Sequence, residues 1–227
     1  PVEWDLRDLP RAESPEPMRV PDIKIPPPGP RAQAILARDR AVVSPSYPRS
    51  VPFVMDRGEG AVVHDVDGNA YLDCCAGIAV AATGHSHPDV VRAITDQAAR
   101  YLHISTDYYH EPQVALGELM SAIAPVGGRA KTFFSTSGTE AVEAAIKLAR
   151  HHTKRVNIIA FLGSFHGRTY GAVSATAQEK FHQGFEPMVP GFRFVPFNDS
   201  RAVEDAVNER TCAILVEPVQ GEGGVNI

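Results

Sequence analysis

Apolar and polar residues follow different rhythms along this chain, and the change of rhythm divides it. A short helix is expected over residues 31–40. Residues 61–73 alternate as a β-hairpin would, turning at Asp67-Gly68, a dipeptide that tolerates the positive φ such a turn requires. His87-Pro88 opens a second helix that runs to about Tyr101, with proline at a position whose N–H is not needed. From Lys131 the pattern becomes strand-helix-strand. Residues 132–136, 156–161, 192–197 and 212–216 read as short apolar strands, and residues 139–152 and 200–209 read as helices between them. Continuous apolar runs mean strands buried on both faces, and alternation with helices means crossovers and a largely parallel sheet. The fold class expected is α/β.

Ahead of these elements, residues 1–30 are rich in proline and charge and end in Pro26-Pro27-Pro28-Gly29-Pro30, which favours extended backbone. They are expected to form an arm or linker. Residues 31–86 are expected to form an N-terminal segment of helix and hairpin, and residues 87–227 the first part of a larger ligand-binding domain. Glycines at 221, 223 and 224 follow the last apolar strand directly. Loops of this kind carry ligand contacts in open α/β sheets, so the reading expects a chain that stops part-way through a site.

Composition narrows the function classes. Of 227 residues, 44% are hydrophobic and 22% charged, which suits a globular domain with a sizeable core. The net charge of -5 comes without a basic stripe, which argues against nucleic acid as a partner. Cys74, Cys75 and Cys212 form no CxxC pair, so no disulfide framework or zinc site is expected and a cytoplasmic setting fits. No apolar run is long enough to span a bilayer, and no membrane association is expected.

Three segments carry candidate chemistry. In Phe133-Phe134-Ser135-Thr136-Ser137-Gly138-Thr139-Glu140-Ala141 a strand runs into a helix through small residues. A helix N-terminus offers unpaired N–H groups and partial positive charge, and glycine lets an anion approach the backbone. Ser137-x-x-Glu140 is equally a capping box that closes the helix without any ligand. In Gly163-Ser164-Phe165-His166-Gly167-Arg168-Thr169, an aromatic ring suited to stacking lies near an arginine suited to gripping a carboxylate. A core Phe165, a bonded His166 and a structural Arg168 would fit the same pattern. In Glu217-Pro218-Val219-Gln220-Gly221-Glu222-Gly223-Gly224 two carboxylates follow a strand, to orient an arginine, accept an amine or face solvent.

Taken together and in this order, these segments resemble class III aminotransferases. So do Asp65-Val66-Asp67-Gly68-Asn69, Ala76-Gly77-Ile78-Ala79-Val80 and Thr83-Gly84-His85-Ser86-His87-Pro88, and the resemblance runs from about Pro26 to the end. It implies the aspartate-aminotransferase-like fold of pyridoxal-phosphate (PLP) enzymes of fold type I, with residues 31–86 belonging to its small domain. It also implies PLP as cofactor, a small-molecule amino donor and a 2-oxo acid as substrates, and a homodimer at full length.

The resemblance assigns roles to individual residues. Ser137, Gly138 and Thr139 would bind the cofactor phosphate, Phe165 would stack on its ring with His166 beside it, and Arg168 would bind a substrate carboxylate. Glu217 would sit near the transferred amine, and Glu222 would pair with a later arginine. Thr136 departs from the asparagine common among relatives. The catalytic lysine that carries the cofactor, the aspartate facing the pyridine nitrogen and the partner arginine of Glu222 would all lie beyond Ile227. Lys131, Lys147 and Lys180 do not stand in the lysine's motif.

The donor implied is a terminal amine. The stretch from residues 181–187 to 195–199 looks like acetylornithine enzymes, whereas residues 124–132 and 139–143 lean to 4-aminobutyrate enzymes; N-acetylornithine, ornithine and 4-aminobutyrate are the donors implied, with acetylornithine slightly ahead. A PLP-dependent racemase of the same family, or a non-catalytic binding module, are the other readings. Asp65-x-Asp67-Gly68-Asn69 hints at a calcium loop, but its glycine and glutamate are out of register, and no metal is expected.

Overall fold

A computed structural model describes residues 19–47, 49–128 and 130–227. Two compact units meet in sequence at Tyr108/Tyr109. The first contains α1 (Pro30–Val42), an antiparallel sheet β1-β2-β3 (Met55–Glu59, Val62–Asp65, Ala70–Leu72), a single turn α2 (Ala76–Ala79) and α3 (Pro88–Arg100). The hairpin expected over 61–73 is β2 and β3, paired in the register Val62↔Leu72 to His64↔Ala70.

Its turn is held by side chains. Asp65 Oδ1 accepts N–H groups from Asp67 at 3.0 Å and Asn69 at 2.8 Å, and Oδ2 accepts Asn69 Nδ2 at 2.7 Å and the Tyr71 hydroxyl at 2.9 Å. Both Asp67 oxygens accept from the first turn of α1, Arg31 N–H and Ala32 N–H, at 2.9 Å each. The carboxylates that hinted at a calcium loop are thus committed to backbone N–H groups and to the Asn69 and Tyr71 side chains. The arm expected over 1–30 lies outside the described residues through position 18. Its later part is no free linker: Lys24 and Ile25 N–H groups reach Asn69 Oδ1 at 2.7 and 2.9 Å, and Asp22 pairs with Ala70.

The second unit holds α4 (Glu111–Ile123), α5 (Gly138–Thr153), β4 (Asn157–Phe161), α6 (Tyr170–Ala175), β5 (Phe192–Val195), α7 (Ser200–Ala206) and β6 (Thr211–Ile214). The strands form a parallel sheet in the order β5-β4-β6, so the α/β expectation holds. Central β4 alternates between two cores. Ile159 and Phe161 pack with Val195 and Ala206 under α7, whereas Ile158 packs with Ile146 of α5 and Ala175 of α6. Burying both faces of one strand is what made Asn157–Phe161 a continuous apolar run. Ile158 and Ile159 are each 1% exposed, and each contributes about 1.5–3 kcal/mol by leaving water.

The strand expected over 132–136 is not one. Lys131 to Ser135 take no regular structure, and Phe133 is 74% exposed, because no neighbouring strand among the described residues offers this stretch a ladder. The helix expected to reach Glu209 ends at Ala206, and the strand expected to reach Val216 ends at Ile214.

Candidate active site

The C-terminal exits of β4 and β6 lie side by side, and the N-terminus of α5 comes up to the loop that leaves β4. Ser137 caps α5 by accepting the Glu140 N–H at 3.4 Å. The reciprocal bond of a capping box is shifted by one residue: the Glu140 carboxylate accepts the Thr136 N–H at 2.8 Å and the Thr136 hydroxyl, and these bonds lower its pKa. With the cap so closed, the Gly138 and Thr139 N–H groups meet no acceptor among the described residues. A side chain built at Gly138 would find nothing within 4 Å. The result is a pair of helix N–H donors with no acceptor among the described residues and open space beside Gly138, an arrangement that suits an anion.

Thr139 ties this helix end to the β4 exit loop. Its hydroxyl bonds that of Thr169 at 2.7 Å and accepts the Thr169 N–H at 3.3 Å. Thr169 then donates to Glu143 Oε1 at 2.6 Å, which also accepts Gly171 N–H at 2.8 Å and Ala172 N–H at 3.0 Å. One carboxylate on α5 therefore caps α6 and fixes the chain that follows Arg168. Gly167, at φ +129°, has its position set by the same contact, because a Cβ there would fall on Thr139. His166 is 8% exposed; its backbone N–H donates to Thr176 Oγ1 at 2.9 Å while its Nε2 is buried with no hydrogen-bond partner among the described residues. Burial pushes its pKa down, so the ring is neutral at pH 7.

The third segment joins the second through Glu217, whose Oε2 accepts the Phe165 N–H at 3.0 Å. Phe165 meets Phe181 edge to face, and the Arg168 guanidinium lies over both rings, 5.3 Å from the first centroid and 5.7 Å from the second. Glu222 accepts from Lys180 Nζ at 2.9 Å through Oε1 and from Gln178 Nε2 through Oε2. The Lys180 bond is the main cause holding its carboxyl below the usual range, and the Arg168 charge adds to it. Glu217 is half-buried, whereas Glu222 stands exposed on the turn but is held at both carboxylate oxygens.

All three segments singled out in the sequence therefore converge, linked by Thr139 to Thr169 and by Glu217 to Phe165. Sequence reasoning missed Glu143, Gln178, Phe181 and Gln220. Gln220 is buried, donating to the Leu162 carbonyl at 2.9 Å and holding the glycine-rich turn against the β4 exit. Glu143 reaches Thr169 across 26 positions, Gln178 reaches Glu222 across 44, Gln220 reaches Leu162 across 58 and Phe181 reaches Phe165 across 16, so no local pattern marks these roles, although Glu143, Phe181 and Gln220 lie inside stretches already noted.

Comparison with known proteins gives the family and the fold. The family model described as aminotransferase class-III matches residues 43–227. The chain is 47% identical over 196 residues to the acetylornithine aminotransferase of Methanothermobacter thermautotrophicus, covering 86% of this chain and 49% of that protein. It is 52% identical over 176 residues to the protein of the same name in Methanopyrus kandleri, covering 78% and 45%. Among solved structures, the ornithine aminotransferase of Toxoplasma gondii, with PLP at partial occupancy in its active site, superposes with a TM-score of 0.80 at 30% identity, covering 86% of this chain and 47% of that one. The chain spans about half the length of the curated relatives it matches.

Proposed function

The chain belongs to the class-III aminotransferases, and on that premise we propose that this protein is a PLP-dependent enzyme that moves an amino group from a terminal-amine donor to a 2-oxo acid. The donor proposed is N-acetylornithine, ahead of ornithine and 4-aminobutyrate, and the acceptor 2-oxoglutarate. The relatives named acetylornithine aminotransferases, at 47% and 52% identity, support that order.

One observation carries the reading: the unclaimed Gly138 and Thr139 N–H groups open beside the Phe165 to Thr169 loop. These residues fit the cofactor. Two free helix N–H donors with space beyond Gly138 suit a phosphate, and a neutral, buried imidazole with an unsatisfied Nε2 suits a polar group on a flat ring. Ser137, Gly138 and Thr139 would hold the phosphate, and Phe165 and His166 would face the ring. When bound, PLP supplies the electron sink that makes loss of a proton beside the amine possible.

The chain's own residues orient and discriminate. Arg168, fixed through the chain that follows it, would hold a substrate carboxylate with a planar pair of donors. Glu217, pinned to the Phe165 backbone, would set the amine end, and Glu222 would pair with a later arginine and swing aside to admit the dicarboxylic acceptor. The reading includes a homodimer, in keeping with the apolar side chains exposed along α4, among them Leu119 and Ile123.

The test is glutamate formation by the full-length, PLP-loaded protein from 2-oxoglutarate with each donor. Turnover with N-acetylornithine is expected; none with any of the three donors would sink the proposal. Loss of substrate chirality without a 2-oxo acid forming would point to a racemase.

A further inference from the structure

Phe181 has no part in the reading above, yet its ring touches two of the residues that do. It meets the Phe165 ring edge to face, with centroids 5.3 Å apart and an interplanar angle of 65°. The Arg168 guanidinium lies over the same ring at 5.7 Å and over Phe165 at 5.3 Å, so the three side chains form a closed set. Phe181 is itself placed from both sides. It ends a single turn, Glu179–Phe181, with its N–H on the Gln178 carbonyl at 3.0 Å. Before the turn, Gln178 Nε2 donates to the carbonyls of Gly163 at 3.2 Å and Ser164 at 3.1 Å, at the β4 exit. After it, His182 Nε2 donates to the Val173 carbonyl of α6 at 2.8 Å.

Packing alone does not account for an aromatic residue here. Phe181 is half-buried, and an aliphatic side chain would supply apolar contact as well. An aromatic face attracts a guanidinium through its quadrupole, and it does so without occupying N–H donors. A carboxylate in that place would hold Arg168 too, but would claim donors that a substrate carboxylate needs. Arginine carries much rotamer entropy, and restricting it before a ligand arrives removes part of the cost of binding. The edge-to-face contact performs a second task. Phe165 is fixed at its main chain by Glu217, and Phe181 fixes the tilt of its ring.

We propose that Phe181 is a positioning residue: its ring presets the Arg168 guanidinium and the tilt of the Phe165 ring together, so that carboxylate grip and stacking on the cofactor depend on one side chain from a different loop. The inference rests on Arg168 being the carboxylate anchor and Phe165 the residue that faces the cofactor ring. Three features follow from it. Loss of the aromatic ring at position 181 weakens binding of a carboxylate held by Arg168 more than it slows turnover. A ring of the same shape with a poorer π face is impaired as well. Without the Arg168 charge, the residue at position 181 no longer matters to that carboxylate.

The experiment uses the full-length, PLP-loaded protein as parent, Phe181→Leu, Phe181→Tyr, a ring-fluorinated phenylalanine at position 181, Arg168→Met, and the Arg168→Met/Phe181→Leu double variant. The probe is N-acetylnorvaline, which is N-acetylornithine without its terminal amine, titrated against the absorbance of the bound cofactor. Its Kd is expected to rise about three- to tenfold in Phe181→Leu, and KM for N-acetylornithine in parallel, with kcat altered less than about threefold. The visible circular dichroism of the bound cofactor, which needs no turnover, should weaken in the same variant. Phe181→Tyr should stay within about twofold of the parent. The fluorinated ring should raise the Kd about two- to fivefold at an unchanged thermal midpoint, because fluorine withdraws charge from the π face while the shape is kept. The double variant should match Arg168→Met alone. The proposal is overturned if Phe181→Leu leaves the Kd and the dichroism at parent values. A fluorinated ring that behaves as the parent while leucine is impaired also overturns it, since shape alone would then matter. So does a Kd that Phe181→Leu still weakens in the Arg168→Met background; the ring would then act through Lys180, whose Nζ lies 4.8 Å from its centroid. Arg168→Met by itself tests the premise: an unchanged Kd there removes the carboxylate anchor, and the proposal with it, whatever Phe181 does.

Discussion

Replacing Glu143 should damage stability and donor binding together. Its Oε1 is the shared acceptor for the Thr169 hydroxyl and the Gly171 and Ala172 N–H groups, at 2.6, 2.8 and 3.0 Å. Bonds to a charged acceptor contribute about 1.5–3 kcal/mol each, but the simple sum overcounts, because all three converge on one oxygen of a half-buried side chain that water can partly replace. Gly171 and Ala172 are buried, so their N–H groups cannot all find water once the carboxylate is gone. A cost of about 2–4 kcal/mol is expected for Glu143→Ala. Glu143→Gln keeps an acceptor oxygen and loses only the charge, for about 1 kcal/mol. Urea unfolding should show the midpoint falling in that order with little change in slope. Because Thr169 adjoins Arg168, KM for the carboxylate-bearing donor should rise in Glu143→Ala and much less in Glu143→Gln. If Glu143→Ala unfolds at the parent's urea concentration, the bonding network does not hold α6; if the amide and alanine variants are equally impaired, the charge alone matters and the geometric account is wrong.

Asp73 gives a pH signature in the first unit. The bond from His85 Nε2 at 2.6 Å, with the Cys75 and Ala76 N–H groups, lowers its pKa from 3.8 to about 2, so it stabilises the fold above about pH 4, a contribution lost as pH falls through 2. Far-UV circular dichroism between these values should show a step in the parent that flattens in Asp73→Asn. Gly167→Ala should destabilise by about 1–3 kcal/mol, since its Cβ meets Thr139 at a φ that favours glycine, and thermal unfolding checks this. Ile158→Ala should cost about 2–5 kcal/mol and Ile158→Val about 0.5–1.5 kcal/mol in the same denaturation assay.

The parts of the molecule legible in the sequence are those whose cause is local. The apolar run of β4, the Ser137 cap of α5 and the Asp67-Gly68 turn each announce themselves within a few residues. By contrast β1, Met-Asp-Arg-Gly-Glu, has no alternation to read, because it is an exposed edge strand held only by its ladder to β2. Residues 132–136 have the composition of a strand, but composition cannot supply a neighbour to pair with. α6 contains a glycine and a β-branched valine and depends on Glu143, which lies 27 positions before its first residue. The site follows the same division: its motifs stand out as small-residue turns, whereas Gln178, Lys180 and Phe181 become site residues only when the loop folds back to Glu222 and Arg168.

The capping of α1 by Asp67 bears on the timing of chain synthesis. The helix has a single buried residue, Ala32, and Gly29 at its N-cap has no side chain to offer, so its first donors depend on a carboxylate 36 positions later. At translation speeds of about 5–20 residues per second, those positions take roughly 2–7 seconds to appear. During that interval α1 leaves the ribosome without its cap, and a short helix with no apolar face does not persist alone in water. It would wait as coil until the hairpin turn emerges, and amide exchange in α1 and in the turn should then report one shared opening event, not two.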